Sequence, residues 1–265
     1  MLIVGELINS TRKRVAEAVA ARDASYIANL ARQQKEAGAD LIDVNAGARP
    51  QQEPDDLVWL TQTVQAAVDT PLCLDSPSAQ ALTAALPVHR GRALVNSITE
   101  ERERYEAILP LVSRHQAQVI GLTIDDAGMP NDVERRVEIA RHISELATGA
   151  GVARGDLFID PLIRPVSTEA DQGHAALEAM REIRRALPGV HVICGLSNIS
   201  FGLPHRKLLN RTFLAMAIAM GLDAALVDPL DRYLMAILRA GEAVIGQDEY
   251  CANYLTAYRA GLLEE

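Results

Sequence analysis

The chain has 265 residues, of which 49% are hydrophobic and 23% charged, with a formal net charge of −9. That balance is ordinary for a globular protein and excludes a disordered tail or a fibrous repeat. The negative charge argues against a nucleic-acid binder, whose affinity comes from Lys and Arg on phosphates, and no apolar run reaches the ~18 residues of a membrane span.

The N-terminal run MLIVGELINSTRKR places its basic cluster after the apolar segment, the reverse of a secretory signal. Leu2–Gly5 reads as the first strand. Ser25–Ala37 carries apolar residues at helical spacing and closes on Gly38, and Leu41–Asn45 is the next strand-length run. The alternation continues with a helix over Asp55–Val68, a strand over Pro71–Asp75, a helix over Pro77–Leu86 and a strand over Ala93–Ile98. It goes on with helix Glu101–Arg114, strand Gln118–Ile124, helix Asn131–Leu146, strand Leu157–Asp160 and helix His174–Leu187. It ends with strand His191–Asn198, helix Arg206–Met220, strand Ala224–Asp228 and helix Asp231–Ala240. Gln247–Leu263 predicts one further helix.

The strand runs are near-continuously hydrophobic, as in parallel strands buried on both faces. Eight strand–helix units in a chain of this length predict an α/β fold, a TIM (β/α)8 barrel forming one domain over residues 1–265. An open doubly wound sheet has the same alternation. At this length roughly three-quarters of the unfolded surface can be buried, so no disulfide or metal is needed to hold the fold. Cys73, Cys194 and Cys251 are odd in number and form no CxxC pair. That fits free thiols in a reducing compartment, and a cytoplasmic protein is expected. Of the three lysines (Lys13, Lys35, Lys207), none lies in a strand-like run, which argues against a Schiff-base lysine.

Barrel chemistry sits at the C-terminal ends of the strands. Those ends carry Glu6 and Asn9, Asp43 and Asn45, Asp75, Asn96, Asp125 and Asp126, Asp160, Ser197 and Asn198, and Asp228. Asp and Asn also end strands for local reasons, as turn residues and helix caps. Asp75 and Asp160, however, each close an apolar run and precede a proline within two residues, where an unpaired charge is costly. Oxygen ligands of this kind suit Mg²⁺ or Ca²⁺. They equally suit a flat nitrogen heterocycle such as pterin or guanine, whose adjacent N–H donors match one carboxylate. The six histidines are scattered, with no HxH or HxxEH pattern, and read as surface or packing residues.

The run Gly195-Leu196-Ser197-Asn198-Ile199-Ser200-Phe201 resembles the seventh-strand segment of the pterin-binding methyltransferases. That family includes methyltetrahydrofolate:corrinoid protein methyltransferase and the folate-binding module of cobalamin-dependent methionine synthase. Gly5-Glu6-Leu7-Ile8-Asn9 resembles their first-strand segment. Asp43-Val44-Asn45-Ala46-Gly47, Leu74-Asp75-Ser76, Val95-Asn96-Ser97 and Ile159-Asp160-Pro161 follow in the family's order. The resemblance runs from end to end. The related dihydropteroate synthases share the barrel, but their first strand typically reads GILNVTPDSF and their last segment carries R-x-H-D. Here those segments read GELINST and ALVDPLD.

The resemblance implies that Asp75, Asn96 and Asp160 hydrogen-bond the pterin edge, that Gly195 and Ser197 line the ring, and that Asn198 sits beside N5. It places Phe201 and Arg206 at further folate contacts, although Phe201 stands where the family is often polar. Glu6, Asn9 and Asp43 would form a supporting network, with Asp125 and Asp228 further out. The implied reaction moves a methyl group between N5 of methyltetrahydrofolate and the cobalt of a corrinoid. The chain has no D-x-H-x-x-G cobalamin motif, so the corrinoid would arrive on a partner protein, with no metal held by this chain. The resemblance also implies a homodimer, and Tyr250, Tyr254, Leu255, Tyr258, Leu262 and Leu263 supply apolar surface near the C-terminus. Asn198, as a donor facing N5, would strengthen its hydrogen bond as the nitrogen gains basicity in the transition state. Dihydropteroate synthesis and a non-catalytic folate-binding barrel are the alternatives.

Overall fold

The computed structural model describes residues 1–263. Eight parallel strands close into a barrel in sequence order, β1 (Leu2–Asn9), β2 (Leu41–Asn45), β3 (Leu72–Asp75), β4 (Leu94–Ile98), β5 (Gln118–Leu122), β6 (Leu157–Asp160), β7 (His191–Gly195) and β8 (Ala224–Val227). β8 pairs back onto β1 through Leu2↔Ala224 to Gly5↔Val227, which removes the edges an open sheet would leave. The helices are α1 (Lys13–Ala21), α2 (Ala24–Glu36), α3 (Glu53–Ala67), α4 (Ala79–Ala85) and α5 (Arg102–Arg114). They continue with α6 (Val133–Gly149), α7 (Gln172–Ala186), α8 (Arg206–Ala219), α9 (Arg232–Val244) and α10 (Ala252–Arg259). None of the described helices is long and apolar enough to cross a membrane.

Helix starts follow the expected chemistry. Asp23, Asp132 and Asp231 accept from the backbone N–H groups of Tyr26, Arg135 and Leu234, and Ser78 accepts from Ala81. Such a cap is worth about 1 kcal/mol.

The core has two parts. A large outer cluster lies between sheet and helices. A small inner cluster takes one residue from each strand: Val4, Leu41, Cys73, Leu94, Ile120, Phe158, Ile193 and Ala224. Side chains alternate across a strand with a period of two. The next inward positions along the chain are therefore Glu6, Asp43, Asp75, Asn96, Leu122, Asp160, Gly195 and Leu226. One pleat step separates the apolar plug from a layer at the C-terminal mouth in which Glu6, Asp43, Asp75, Asn96 and Asp160 are polar, while Leu122 and Leu226 stay packed on the plug.

Several boundaries differ from the sequence expectation. β1 runs on to Asn9, with an irregularity in its pairing between Gly5 and Ile8. α1 was not expected. It is short, opens on a basic cluster and has no side-chain cap, yet it buries Val15, Ala18 and Val19. β7 stops at Gly195, and Leu196–Ser200 form a 3-10 turn, so Ser197 and Asn198 lie above the strand rather than on it. The C-terminal helix is only Ala252–Arg259, because Tyr250 and Cys251 adopt positive φ and break the run.

Candidate active site

Side-chain hydrogen bonds tie one side of the mouth together. The Asn45 carboxamide donates to Asp75 Oδ2 at 3.0 Å, and its own oxygen accepts from Ser10 Oγ at 3.1 Å and Gly47 N–H at 3.1 Å. Ser76 N–H donates to the Asn96 carbonyl at 2.9 Å, and the Ser76 hydroxyl to buried Glu53 at 2.6 Å. Arg104 of α5 reaches over the end of β4. Its guanidinium donates to the Ser97 carbonyl at 3.1 Å and hydroxyl at 3.0 Å.

The carboxyls of this layer are hard to ionise. Burial lifts Asp75 to about 6, against a lowering hydrogen bond from Asn45 and the positive charge of Arg104. Burial and the neighbouring Asp75 hold Asp43 well above its ordinary value, with Cys73, Asn96 and Glu6 around it. One Asp43 oxygen has no hydrogen-bond partner. Burial raises Glu6 as well, despite Arg12, the Ser197 hydroxyl and Arg206, with Asp228 adding to the rise.

On the opposite side Asp160 ends β6, and burial lifts it to about 7. Backbone N–H groups of Leu162 and Gly195 and the charge of Arg136 act against that rise. Leu162 N–H donates to Asp160 Oδ1 at 2.7 Å. Leu162 itself sits at φ 63, a conformation rare for a bulky residue. Its carbonyl accepts from Arg136 at 3.3 Å, so the turn is held from both sides. Arg136 of α6 is fully buried and also donates to the Pro130 carbonyl and Gln172.

The 3-10 turn after β7 closes the rim. Ser197 Oγ donates to Glu6 Oε2 at 3.2 Å, linking β7 to β1. Asn198 is exposed at the mouth. Its carboxamide lies over Gly195, where an added Cβ would come within 3.2 Å of Asn198 Nδ2. Glycine there leaves room for the asparagine. Arg206, expected as a folate contact, braces the turn: it donates to the Ser197 carbonyl at 2.7 Å and to Ser200 Oγ at 3.0 Å. Its guanidinium lies 5.9 Å from the ring centre of Phe201, which is 65% exposed.

Glu6, Asp43, Asp75, Asn96, Asp160, Gly195, Ser197 and Asn198 thus share one end of the barrel. Asn9 departs from the expected network, since its side chain accepts from Thr11 N–H and Oγ and so shapes a local turn. Asp125 is bound to Arg135 and caps a turn through Ala127 N–H. Arg104 and Arg136 were missed, because an arginine on an amphipathic helix reads as a solvated one. Among the described residues no cluster of three or more His, Cys, Asp or Glu is placed to hold a metal ion. The arrangement offers the carboxyls of Glu6, Asp43, Asp75 and Asp160 and the carboxamides of Asn45, Asn96 and Asn198 above an apolar layer, a donor and acceptor set that matches the edge of a flat heterocycle.

Residues 5–228 match the family described as pterin binding enzyme, and the chain belongs to that family. It is 38% identical over 266 residues to a methylcorrinoid:tetrahydrofolate methyltransferase of Eubacterium limosum, covering 98% of this chain and 97% of that one. It is 32% identical over 240 residues to methionine synthase of Mycobacterium tuberculosis, covering 86% of this chain but 20% of that protein. A Yersinia pestis dihydropteroate synthase solved with a sulfonamide drug superposes with a TM-score of 0.74 at 17% identity, over 93% of this chain and 94% of that one. That likeness establishes the dihydropteroate synthase-like barrel.

Proposed function

We propose that the chain, as one domain over residues 1–265, transfers a methyl group between N5 of methyltetrahydrofolate and the cobalt of a separate corrinoid protein. The observation that carries this reading is the end-to-end similarity to a methylcorrinoid:tetrahydrofolate methyltransferase, joined to the polar mouth. Asp75, Asn96 and Asp160 bind the pterin edge, and Gly195 and Ser197 leave the ring its space. Asn198 donates to N5. Phe201 is the exposed flank of the folate path, and Arg206 serves by holding the turn that carries Ser197 and Asn198. Glu6 and Asp43 support this layer from below.

The chemistry follows from the leaving nitrogen. A methyl group leaves a tertiary amine slowly, because the departing nitrogen must take up negative charge. A donor whose hydrogen bond strengthens as that charge grows lowers the barrier. The cobalt centre is the second substrate, and it approaches the open side of the mouth on its own protein.

Two further points belong to the same reading. A homodimer would cover Tyr250, Leu255, Tyr258 and Leu262, which are all at least 43% exposed. Free Cys73, Cys194 and Cys251 fit a reducing cytoplasm.

Incubation with methyltetrahydrofolate and a reduced corrinoid protein tests the reading, followed by the absorbance change as methyl-cobalt forms. The expected result is stoichiometric methyl transfer. Tight folate binding with no transfer would favour the non-catalytic barrel. Consumption of p-aminobenzoate with the pterin pyrophosphate would favour dihydropteroate synthesis. Sedimentation at twice the chain mass is expected for the dimer, and a species of single mass at micromolar concentration would refute it.

A further inference from the structure

Methyl transfer from a tertiary amine leaves one question that the pterin contacts do not answer: where the N5 proton comes from. Asn198 is a carboxamide and a very weak acid, so another group must supply it.

Four buried carboxyls face the mouth, and their surroundings differ. Asp43 is 1% exposed, with Cys73, Asn96 and Asp75 around it, and so has almost no direct contact with solvent. Asp75 is engaged by Asn45. Asp160 is engaged by the Leu162 and Gly195 N–H groups, on the edge that holds the ring. Glu6 has both connections that a proton carrier needs. Inward, it is hydrogen-bonded to Ser197 Oγ at 3.2 Å, and Ser197 adjoins Asn198. Outward, it lines a cleft of about 410 Å³ with Arg12, Arg206, Lys207, Asp228 and others, and its side chain is 17% exposed.

We propose that Glu6, acting through the Ser197 hydroxyl, delivers the proton that N5 gains when the methyl leaves, and removes it in the reverse direction. The proposal rests on the methyl-transfer reading above. A serine hydroxyl both accepts and donates, so it can pass a proton without holding a charge.

The Glu6 carboxyl gives up its proton, and N5 receives one through Ser197. The N5–CH3 bond then breaks with its electron pair kept by nitrogen. The cobalt(I) electron pair of the corrinoid forms the new bond, so the metal ends as methyl-cobalt(III). Glu6 is left as a carboxylate and is reprotonated from water in the cleft.

The charged groups around Glu6 set its balance. Arg12 lies 3.2 Å away, and Arg206 also favours the carboxylate. Asp228 at the end of β8 and Asp43 on β2 oppose it, and Lys207 and Asp231 line the far side of the cleft. Burial is the largest influence, and it favours the protonated acid.

The test is single-turnover transfer from methyltetrahydrofolate to the reduced corrinoid protein over a pH series that spans the Glu6 transition. Saturating folate keeps the binding titration of Asp160 out of the profile. The wild-type rate is expected to fall as pH rises through the Glu6 transition. Glu6→Gln should slow transfer by about a hundredfold, lose that falling limb and retain folate affinity. A Glu6→Gln protein with the wild-type rate, or with the limb intact, overturns the proposal. Should Glu6→Gln fail to fold, Ser197→Ala and Ser197→Thr decide. The threonine keeps a hydroxyl and should retain most of the rate that alanine loses, and equal rates would overturn the proposal. Absence of transfer by the wild-type protein would overturn the methyl-transfer reading itself, and the proposal with it.

Discussion

Asp160 and Asp223 are both substantially buried aspartates of the same barrel, and they sit at opposite ends of it. Asp160 closes β6 at the C-terminal mouth, and burial lifts it to about 7 because its nearest help is two backbone N–H groups and the charge of Arg136. Asp223 precedes β8 at the N-terminal face. Burial pushes it upward too, but it is outweighed by hydrogen bonds from His191 and the Val192 N–H and by the charges of His191 and Arg184. Those contacts are short, at 2.9 Å from His191, 2.8 Å from Val192 and 2.7 Å from Arg184. The difference teaches where the fold is satisfied and where it is left unfinished. The N-terminal face completes its own charges. The mouth keeps acids without enough partners, which is the condition of a site awaiting a ligand.

The strongest way to break this contrast acts at the mouth. Asn198→Ala should cut single-turnover methyl transfer by about a hundredfold, the equivalent of roughly 3 kcal/mol of barrier, while folate affinity falls by a smaller factor. A wild-type rate at saturating folate would reduce Asn198 to a binding contact. Asp160→Asn should weaken folate binding by about tenfold, because a hydrogen bond to a charged group contributes ~1.5 kcal/mol or more. It should also remove a pH dependence. Wild-type affinity should rise with pH as Asp160 ionises through about 7 and then level off, and titration calorimetry across that range reads both effects.

The opposite face should respond in stability rather than in rate. Asp223 is depressed in the folded protein, so its contribution is present above the unfolded value of ~4 and is lost as pH falls. His191 is raised by Asp223, so its share is present below about 6.5 and is lost as pH rises through its folded value. Asp223→Asn should therefore lower stability most in the mildly acidic window between these limits. With His191 and Arg184 both about 40% exposed, the loss should be about 1 kcal/mol, or a few degrees of melting temperature. Transfer rates should stay unchanged, and a loss of activity would break the division between the two faces. Asp160 has the opposite sign, since its ionisation works against the fold. Without ligand, Asp160→Asn should melt higher than wild type above pH ~7, and a lower melting point there would contradict the raised value. The smallest effect is expected from Gly195→Ala, whose Cβ would press on Asn198 Nδ2 at 3.2 Å. A severalfold loss of rate, as the asparagine turns aside, is the outcome to measure.

The polar residues inside apolar runs were the legible part of the site. Asp43 in LIDVN and Asn96 in LVNSI interrupt strands that are otherwise buried on both faces. An interruption of that kind marks the inward side of a strand whose two faces look alike by hydropathy. The family motifs then ordered these positions along the chain. What remained hidden is tertiary. Nothing in the periodicity of α6 distinguishes Arg136, fully buried against the Asp160 turn, from the more exposed Arg135 beside it. Arg104 looks like a solvated residue of α5 until β4 is placed beneath it. The end of β7 was read too far because GLSNIS continues the apolar pattern, whereas Leu196–Ser200 turn as a 3-10 segment held by Arg206.

The reluctance of the mouth to ionise also governs what may enter it. Folates bring their own negative charge on the glutamate tail, and the chain as a whole carries −9. Four fully ionised carboxylates around the entrance would repel such a ligand before the ring touched its partners. With Glu6, Asp43, Asp75 and Asp160 all shifted toward the neutral acid, and with Arg12, Arg206 and Lys207 on the adjoining cleft, the entrance is far less forbidding than its composition implies. An anion meets a weakened field on arrival, and in the proposed binding mode the ring's N–H edge would then draw Asp160 into its carboxylate form.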